Sequence, residues 1–441
     1  MTVLLAAGVF GSGLIKDLLC LPRPLSPPLT RITMSGSAAL EYGFPSSHST
    51  NAVSVAVLAI MLLRNDTTHV PLDLSWYLQL IAYFYMTSIV VGRLYCGMHG
   101  FFDVVFGSLL GVILAVAQYY LGPLRDEWLL GNSIQPLLIS SVIILILVRI
   151  HPEPADDCPC FDDSVAFMGV VLGIDLGCYS FASTGYADAT AVLPYTIPFD
   201  LRRLGVFRVL ARTVAGVLVV FSWRAVMKPT LLRTLPPIFR VVEKYDLDLP
   251  RRFFQPASQY KEVPTSMRDN DLIPSPRDIP EWFNNLRRRR AVSVGPQSEA
   301  DAYEALAYRQ QKRRDSIKSV TSQSSVEHAP DGDHHFESVK ASSHGRKRSL
   351  SVEEFRAQMG SASPEAGLDK TANITNRPHN PDFTGTDEDE HDRKELFANV
   401  QRPRVRYDVE VVTKLIVYTG IGWLSVAGAP IIFHHVGLGV P

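Results

Sequence analysis

Three short groups of polar residues near the start of the chain combine two histidines, three cations and one aspartate. Lys16 and Arg23 form the first group, Pro45-Ser46-Ser47-His48 is the second, and residues 93–103 contain the third. Ionisable groups are costly inside a membrane, so in an apolar chain they usually mark a functional site. Fixed cations can hold a phosphate, one imidazole can attack it, and another can protonate the leaving oxygen. The pattern predicts a site for phosphoryl transfer.

The cations and two serines are predicted to bind the phosphate. Arg23 and Arg93 suit this role because a planar guanidinium donates two parallel hydrogen bonds, and Lys16 adds a compact third charge. Ser46 and Ser47 precede a predicted helix start, where their hydroxyls and the free backbone N–H groups would form an anion site. Taken alone, Lys16 and Arg23 could instead be anchors that snorkel to the membrane surface.

The two histidines have different predicted roles. His99 and Asp103 are four residues apart, so at a helix start they share a face and an imidazole–carboxylate hydrogen bond is within reach. That bond would fix the tautomer of His99 and leave Nε2 free to attack phosphorus. His48 would protonate the leaving alkoxide. Ser49 and Thr50, which follow His48, are possible helix caps.

Eight apolar segments must position these groups. Their lengths suit a bilayer core of about 30 Å, although the first two are short, and they predict an all-α, polytopic bundle of membrane helices. The predicted spans are 1–15, 50–63, 76–92, 103–121, 134–150, 164–182, 206–226 and 411–436. Because the first is below the usual length of about 20 residues, we expect that helix, and further helices before it, to begin upstream of Met1.

The order of the spans brings the three polar groups to one membrane face. A helix that ends at Lys16 and another that starts near His48 place residues 16–48 on one side. The next two spans leave that side and return to it, so they deliver residues 93–103 to the same face. The spacing of the polar residues does not require this agreement, which independently supports a shared pocket at the membrane surface.

Composition divides the chain into a membrane domain and a polar insertion. The net charge of −1 and hydrophobic content of 46% are averages over two unlike parts. Residues 1–240 are predicted to be the membrane phosphatase domain, 241–410 a polar, largely disordered insertion, and 411–436 the final transmembrane helix. The span count places the insertion on the face of the pocket, whereas its clusters of arginine and lysine are typical of cytosolic segments, so its side stays open.

Several other functions find little support. The basic clusters lack interleaved aromatic residues, so nucleic acid is not an expected partner. The five cysteines include one close pair, Cys158-Pro159-Cys160, without a second pair or a histidine pair beside it. Such a pair is more typical of an interfacial loop than of a metal or redox site, and neither a metal nor another cofactor is expected. Oligomeric state is not indicated by the sequence.

The three polar groups resemble the signature motifs of the type 2 phosphatidic acid phosphatase superfamily. The matching patterns are Lys16-x₆-Arg23-Pro24, Pro45-Ser46-Ser47-His48 and Arg93-x₅-His99-x₃-Asp103, which cover about 90 residues. Two positions depart from the broad pattern, with Ser47 in place of a glycine and Gly92 in place of a serine. The first change affects backbone geometry, because glycine tolerates conformations that serine does not.

The residues around these motifs narrow the resemblance to sphingosine-1-phosphate phosphatases, especially the fungal dihydrosphingosine-1-phosphate (long-chain base phosphate) phosphatases. The contexts are Cys20-Leu21-Pro22-Arg23-Pro24, Glu41-Tyr42-Gly43-Phe44-Pro45, Tyr95-Cys96-Gly97-Met98-His99 and Thr413-Lys414-Leu415-Ile416-Val417-Tyr418. The resemblance implies a metal-independent phosphatase of the endoplasmic reticulum membrane, with its pocket on the luminal side.

The residue roles implied by the resemblance agree with those predicted above. Lys16, Arg23, Ser46, Ser47 and Arg93 would bind phosphate, His48 would be the acid, and His99 with Asp103 would be the nucleophile pair. The expected substrate is a sphingoid base 1-phosphate, converted through a phospho-histidine intermediate. Three alternatives remain: a phosphatase acting on phosphatidate or lysophosphatidate, an inactive membrane scaffold or transporter, and, most remotely, a vanadate-dependent oxidase.

Overall fold

The structure is a computed structural model and is predominantly helical. It describes residues 1–24, 29, 31–33, 40–65, 71–131, 133–153, 158–182, 184, 201–246, 251–263, 292–293, 299–324, 387–398, 400 and 405–438. The helices are α1 (Thr2–Leu19), α2 (Ser47–Leu63), α3 (Leu72–Tyr95), α4 (Phe101–Leu129), α5 (Gln135–Ile150), α6 (Cys160–Ala182), α7 (Leu201–Lys244), α8 (Glu299–Ser324), α9 (Asp387–Ala398), α10 (Asp408–Trp423) and α11 (Ala429–His435).

Among the described residues, six helical segments are long and apolar enough to cross a membrane. They are Thr2–Leu19, Leu72–Tyr95, Phe101–Leu129, Cys160–Ala182, Leu204–Lys244 and Asp408–His435. The last combines α10 and α11 through a π-helical turn at Leu424–Gly428. Ser47–Leu63 and Gln135–Ile150 are shorter apolar helices. The chain is therefore a multi-pass membrane protein with the expected all-α bundle.

Large apolar side chains cover the outer surfaces of the long helices. On α3, Trp76 is 73% exposed and Phe84 is 74% exposed. Such continuous apolar surface is unusual in a soluble monomer but suits contact with lipid tails. Several helices are longer than the predicted spans. Helix α3 begins at Leu72 where the predicted span begins at 76, and α4 continues to Leu129 where the predicted span ends at 121. Hydropathy identifies the apolar centre of a helix, whereas backbone hydrogen bonding continues into its polar ends.

Small residues let α2 and α4 approach closely. A Cβ atom added at Gly107 would lie 2.6 Å from the carbonyl oxygen of Ser46, and one added at Gly111 would lie 2.5 Å from that of Thr50. Both glycines are on one face of α4, four residues apart, as in small-xxx-small packing of membrane helices. This contact sets the start of α2 against the start of α4.

A second packed region joins α1, α5, α6 and α10. Its buried side chains interdigitate in one cluster: Ala6, Ile144, Val148, Phe161, Val165, Met168, Val171, Phe254 and Val411. On the other side of α10, Val417 and Ile421 pack against α7, where the Trp223 Nε1–H also donates to the carbonyl oxygen of Val417 at 3.0 Å. The last long helix thus holds α6 and α7 together.

The described parts of the polar insertion contain short pairings and two helices. Strand β2 (Phe254–Gln255) pairs in parallel with β4 (Arg406–Tyr407), which brings the two ends of the insertion together. Strand β1 (Ile32–Thr33) pairs antiparallel with β3 (Val292–Ser293). The Arg406 Nη2–H donates to the carbonyl oxygen of Cys158 at 2.7 Å, so the ends of the insertion lie beside the start of α6.

Two compact units are present, Met1–Ala305 with Leu396–Pro441, and Leu306–Glu395. In the second unit, Arg309 pairs with Asp392 at 2.8 Å and Arg313 with Asp389 at 2.8 Å. Helices α8 and α9 were not predicted, because neither carries the apolar stripe by which a surface helix is usually recognised. Much of the predicted disordered insertion, including 264–291 and 325–386, lies outside the described residues.

Candidate active site

The two cations of the first polar group meet one carboxylate. Lys16, at the end of α1, is fully buried and its Nζ donates to Glu41 Oε2 at 2.7 Å. Arg23 Nη2 lies 3.5 Å from the same oxygen, and Arg23 Nε donates to the backbone carbonyl of Glu41 at 2.7 Å. Charge-assisted bonds of this kind fix long side chains in one geometry. Glu41 therefore holds both cations in place.

The His99 ring is held on both nitrogens. Its Nδ1 lies 2.8 Å from the carbonyl oxygen of Gly43, and its Nε2 lies 3.1 Å from Arg23 Nη1. A carbonyl oxygen only accepts and a guanidinium only donates, so Nδ1 carries the proton and Nε2 presents its lone pair. The imidazole is 4% exposed. The neutral tautomer with a nucleophilic Nε2 is the one that attack on phosphorus requires.

Asp103 contacts His99 but does not hydrogen-bond to it. The distance from His99 Nδ1 to Asp103 Oδ2 is 3.8 Å, beyond hydrogen-bond range. The same Oδ2 accepts the backbone N–H of Gly100 at 2.7 Å, which satisfies a free donor at the start of α4. The predicted imidazole–carboxylate hydrogen bond is therefore replaced by the bond to Gly43, and Asp103 acts on His99 through charge.

The serines of the second polar group have different surroundings. Ser46 is fully buried and caps α2: its Oγ accepts the backbone N–H of Ser49 at 3.3 Å and the Ser49 hydroxyl at 3.0 Å. Thr50 donates its hydroxyl to the carbonyl oxygens of Ser46 and Gly107 instead of capping. The prediction that Ser49 or Thr50 caps the helix is wrong, because Ser46 is the residue just outside it. Ser47 is the partly exposed hydroxyl.

His48 and Arg93 are the remaining two predicted site residues. His48 is in the first turn of α2 and is exposed, and the charges of Arg93, Glu41 and Lys16 act on its imidazole. Arg93 is in the last turn of α3 and half-buried. Its Nε is buried and makes no hydrogen bond with any residue in the described part of the chain. A buried guanidinium donor without a partner is costly, so Arg93 is well suited to receive an anion.

The pKa values follow from burial and the nearby charges. Burial lowers the pKa of His99 to about 4, and the positive charges of Arg23 and Lys16 act in the same direction. Burial alone would raise the pKa of Glu41, but Lys16 and Arg23 outweigh it and lower that pKa to about 2. At neutral pH His99 is therefore an uncharged nucleophile and Glu41 is ionised.

Sequence reasoning missed Glu41 and Gly43 as contributors to the site. Each lies in the short segment before the second motif. That segment resembles those of sphingosine-1-phosphate phosphatases, but no role was predicted for its residues. One signal was present: a single acidic residue in a loop otherwise predicted to bind an anion. The role of Gly43 required the structure, since a Cβ atom there would lie 2.6 Å from the carbonyl oxygen of Pro22. Only glycine lets the two loops meet this closely.

Cys158, Cys160 and Asp17 form a buried cluster beside the site. Cys160 is the first residue of α6 and Cys158 lies just before it, so the pair stands at the start of a helix. The two Sγ atoms are 2.7 Å apart. Two thiolates bound to one tetrahedral zinc ion would lie about 3.8 Å apart, so this geometry does not fit a shared zinc ion.

The geometry supports one type of chemistry. A buried neutral imidazole presents its lone pair beside Arg23, the charge of Lys16 also acts on it, and a second imidazole is exposed near Arg93. All eight predicted site residues lie within the first quarter of the chain, and all eight are within residues 1–126, which match the family model described as the PAP2 superfamily. The motifs that predict these residues lie at the ends of α1 and α3 and at the starts of α2 and α4.

The chain is also similar to named phosphatases, over stretches longer than residues 1–126. A dihydrosphingosine 1-phosphate phosphatase of Schizosaccharomyces pombe is 39% identical over 241 residues, which are 54% of this chain and 56% of the relative. One of Saccharomyces cerevisiae is 36% identical over 236 residues, 53% of this chain and 56% of the relative. Sphingosine-1-phosphate phosphatase 2 of Mus musculus is 25% identical over 253 residues, which are 54% of this chain and 68% of the relative.

The alignments with the two fungal proteins each cover a little over half of the relative. The chain spans 56% of the length of both. No solved structure matches the chain.

Proposed function

We propose that the protein is a metal-independent phosphatase that hydrolyses sphingoid base 1-phosphates, such as dihydrosphingosine, phytosphingosine and sphingosine 1-phosphate. The observation that carries this proposal is the state of His99: a buried, neutral imidazole whose Nε2 lone pair lies 3.1 Å from Arg23 Nη1. That arrangement supports a role for His99 as the nucleophile, because Arg23 is one of the cations that would bind the phosphate. The names of the fungal relatives support the choice of substrate class.

In the first step, His99 Nε2 attacks phosphorus and forms the P–N bond. The bond between phosphorus and the ester oxygen breaks, and His48 gives its proton to the leaving alkoxide, so that the free sphingoid base is released. The bound phosphate dianion favours the protonated form of His48 beforehand. Lys16, Arg23 and Arg93 stabilise the charge on the transferring oxygens. The result is a phospho-histidine.

In the second step, water hydrolyses the phospho-histidine. His48, now neutral, takes a proton from the attacking water, whose oxygen forms a bond to phosphorus as the P–N bond breaks. Inorganic phosphate leaves, and His99 recovers its lone pair at Nε2. Throughout both steps, the carbonyl oxygen of Gly43 accepts the Nδ1 proton, and the negative charge of Asp103 stabilises the cationic ring.

The proposed setting is the endoplasmic reticulum membrane, with the pocket on the luminal side. The substrate's single hydrocarbon tail would lie against the apolar helix surfaces while its headgroup meets the polar pocket at the interface. The ends of α1 and α3 and the starts of α2 and α4 all contribute to that pocket, which places it at one end of the bundle.

The decisive experiment is phosphate release from dihydrosphingosine 1-phosphate by membranes that contain the chain, with EDTA present. Wild type is compared with His99→Ala, and phosphatidate serves as the second substrate. Release that prefers the sphingoid substrate and disappears in the variant is the expected result. Trapping of labelled phosphate on the protein as an acid-labile, base-stable adduct would identify phospho-histidine.

Other outcomes would replace the proposal. Equal or faster release from phosphatidate would indicate a broader lipid phosphatase. No release from well-expressed wild-type protein would indicate an inactive scaffold or transporter. Activity that persists in His99→Ala would remove this residue from the role of nucleophile.

A further inference from the structure

Glu41 lies within the cation cluster that would bind the phosphate. Its Oε2 is 2.7 Å from Lys16 Nζ and 3.5 Å from Arg23 Nη2, and the side chain is 16% exposed. Oε1 makes no hydrogen bond or ion pair with a residue in the described ranges. A carboxylate repels phosphate, so its presence among phosphate-binding cations calls for a physical reason beyond anion binding.

The charges around Glu41 explain why a carboxylate lies among cations that would bind phosphate. Lys16, Arg23 and Arg93 supply three positive charges, while Glu41 and Asp103 supply two negative ones. Arg31 is also buried, and its positive charge acts on Arg23. The ammonium group of an amine-bearing lipid phosphate would bring one more cation into this cluster, and the carboxylate of Glu41 would offset it.

Distance also favours an amine-bearing substrate. In a sphingoid base 1-phosphate, the amino group is on the carbon next to the one that bears the phosphate, so phosphate and ammonium enter the pocket together. Without Glu41 the ammonium would lie among like charges, which disfavours binding. Glu41 Oε2 is already within 3.5 Å of two cations that would hold the phosphate, and Oε1 is available for a third donor.

We infer that Glu41 binds the ammonium group of the substrate and thereby selects amine-bearing lipid phosphates over those without an amine. This inference rests on the proposed phosphatase function and adds the residue that sets its specificity. Glu41 also orients Lys16 and Arg23 in the free protein, so the experiment must separate recognition of the amine from simple positioning of the cations.

The test compares two substrates that differ only at the amino group: dihydrosphingosine 1-phosphate, and the same lipid with hydrogen in place of that group. The variant is Glu41→Gln, which removes the charge and keeps the side-chain length. Hydrogen bonds to charged groups typically contribute enough to predict a loss of about 10- to 100-fold in kcat/KM for the amino substrate. The loss should appear mainly in KM, and the ratio of kcat/KM between the amino and the amine-free substrate should fall by about that factor, because any displacement of Lys16 and Arg23 slows both substrates alike.

Glu153→Gln is the matched control. Glu153 is 13% exposed and pairs with Arg251 at 3.3 Å, so it resembles Glu41 in burial and partner but is outside the proposed pocket. It should keep the wild-type ratio of kcat/KM between the substrates. Glu41→Asp, which retains the charge, should recover part of the selectivity. Thermal unfolding of each variant checks that the fold is intact.

Each outcome bears on one inference. If Glu41→Gln slows both substrates by the same factor, Glu41 only positions the cations and the specificity role is overturned. If wild type cleaves both lipids equally well, the specificity role is overturned while the phosphatase function stands. If wild type cleaves neither, the phosphatase function fails. Binding of the two lipids to His99→Ala protein then decides the role of Glu41, which is overturned if the amino lipid binds no tighter.

Discussion

His99 Nδ1 donates a hydrogen bond to the carbonyl oxygen of Gly43, 2.8 Å away and 56 residues earlier in the chain. This bond fixes the tautomer of the nucleophile, a task that a carboxylate performs in serine proteases. A neutral carbonyl orients the ring without raising its basicity as strongly as an anion would. The loop that carries Gly43 is therefore part of the proposed active site.

Replacing Gly43 with alanine should reduce activity without unfolding the protein. The added Cβ would lie 2.6 Å from the carbonyl oxygen of Pro22, so the loop must shift and carry the carbonyl away from His99. A misplacement of about 1 Å can cost about 10²-fold in rate. We expect kcat for dihydrosphingosine 1-phosphate to fall by about that factor. Gly92→Ala is the control, because nothing lies within 4 Å of a Cβ at Gly92, and comparable losses in both variants would contradict the prediction.

Asp103→Asn should slow the reaction less than its counterpart in serine proteases, where the loss is about 10⁴-fold. Asp103 lies 3.8 Å from His99 Nδ1, and Gly43 continues to fix the tautomer. Only the stabilisation of the cationic ring is lost, and we expect a decrease of about 10²-fold in kcat. Asparagine can still accept the Gly100 N–H, so stability should change little. A loss near 10⁴-fold would mean that the carboxylate bonds directly to His99 during the reaction.

The activity should persist at acidic pH. Because burial lowers the pKa of His99 to about 4, its nucleophilic neutral form remains dominant until the pH falls through that value. The pH profile of kcat/KM should therefore lose activity through His99 only near pH 4, after the substrate's own titration, followed by phosphorus NMR, has been divided out. An acidic limb near the ordinary histidine value, about 6.5, would contradict this environment.

The lowered pKa of His99 also makes the stability of the folded protein depend on pH. Its folded-state pKa is below the unfolded value, so the neutral ring contributes stability that is fully present above about pH 6.5. That contribution should be lost as the pH falls from there towards about 4. Thermal unfolding of wild type and His99→Gln across this range should show a steeper acid-side decrease in the wild type. Parallel curves would argue against the shift.

Ser46→Ala and Ser47→Ala should have separable effects. Ser46 caps α2 and is fully buried, so its replacement should reduce the free energy of unfolding by about 1 kcal/mol. Ser47 is partly exposed at the same helix start, so its replacement should raise KM with little change in stability. Unfolding midpoints and KM values measured for both variants check this division. If only Ser46→Ala raised KM strongly, Ser46 and not Ser47 would be the serine that binds the substrate.

Asp175→Ala should destabilise the membrane domain. Asp175 is buried on α6 and accepts hydrogen bonds from Arg125 at 2.6 and 2.7 Å and from Ser140 at 2.9 Å. Its removal leaves Ser140 and the Arg125 guanidinium without these bonds, but Arg125 is 28% exposed and still pairs with Asp126, so the expected cost is about 1–3 kcal/mol. Thermal unfolding in detergent measures the loss. Asp126→Ala removes a more exposed carboxylate from the same arginine and should stay within about 0.5 kcal/mol of wild type.

Much of the helical architecture follows from local pattern. Long apolar runs indicate membrane helices because a lipid bilayer leaves a chain few other ways to satisfy its backbone. The helices at Ser47–Leu63 and Gln135–Ile150 lie close to predicted spans for the same reason. Helices α8 and α9 escaped prediction because polar sequence gives no periodic signal, and their ion pairs join residues far apart in the chain.

The sequence by itself determined which residues are candidates for the chemistry: His99, His48, Arg93, Lys16 and Arg23 are selected by residue type, spacing and the face to which the predicted helices deliver them. Only the tertiary structure decided that Gly43, and not Asp103, hydrogen-bonds to His99, and that Glu41 lies between Lys16 and Arg23. The physical reason is that such bonds depend on how two loops approach each other, to within tenths of an ångström, and that approach is set by packing between distant segments.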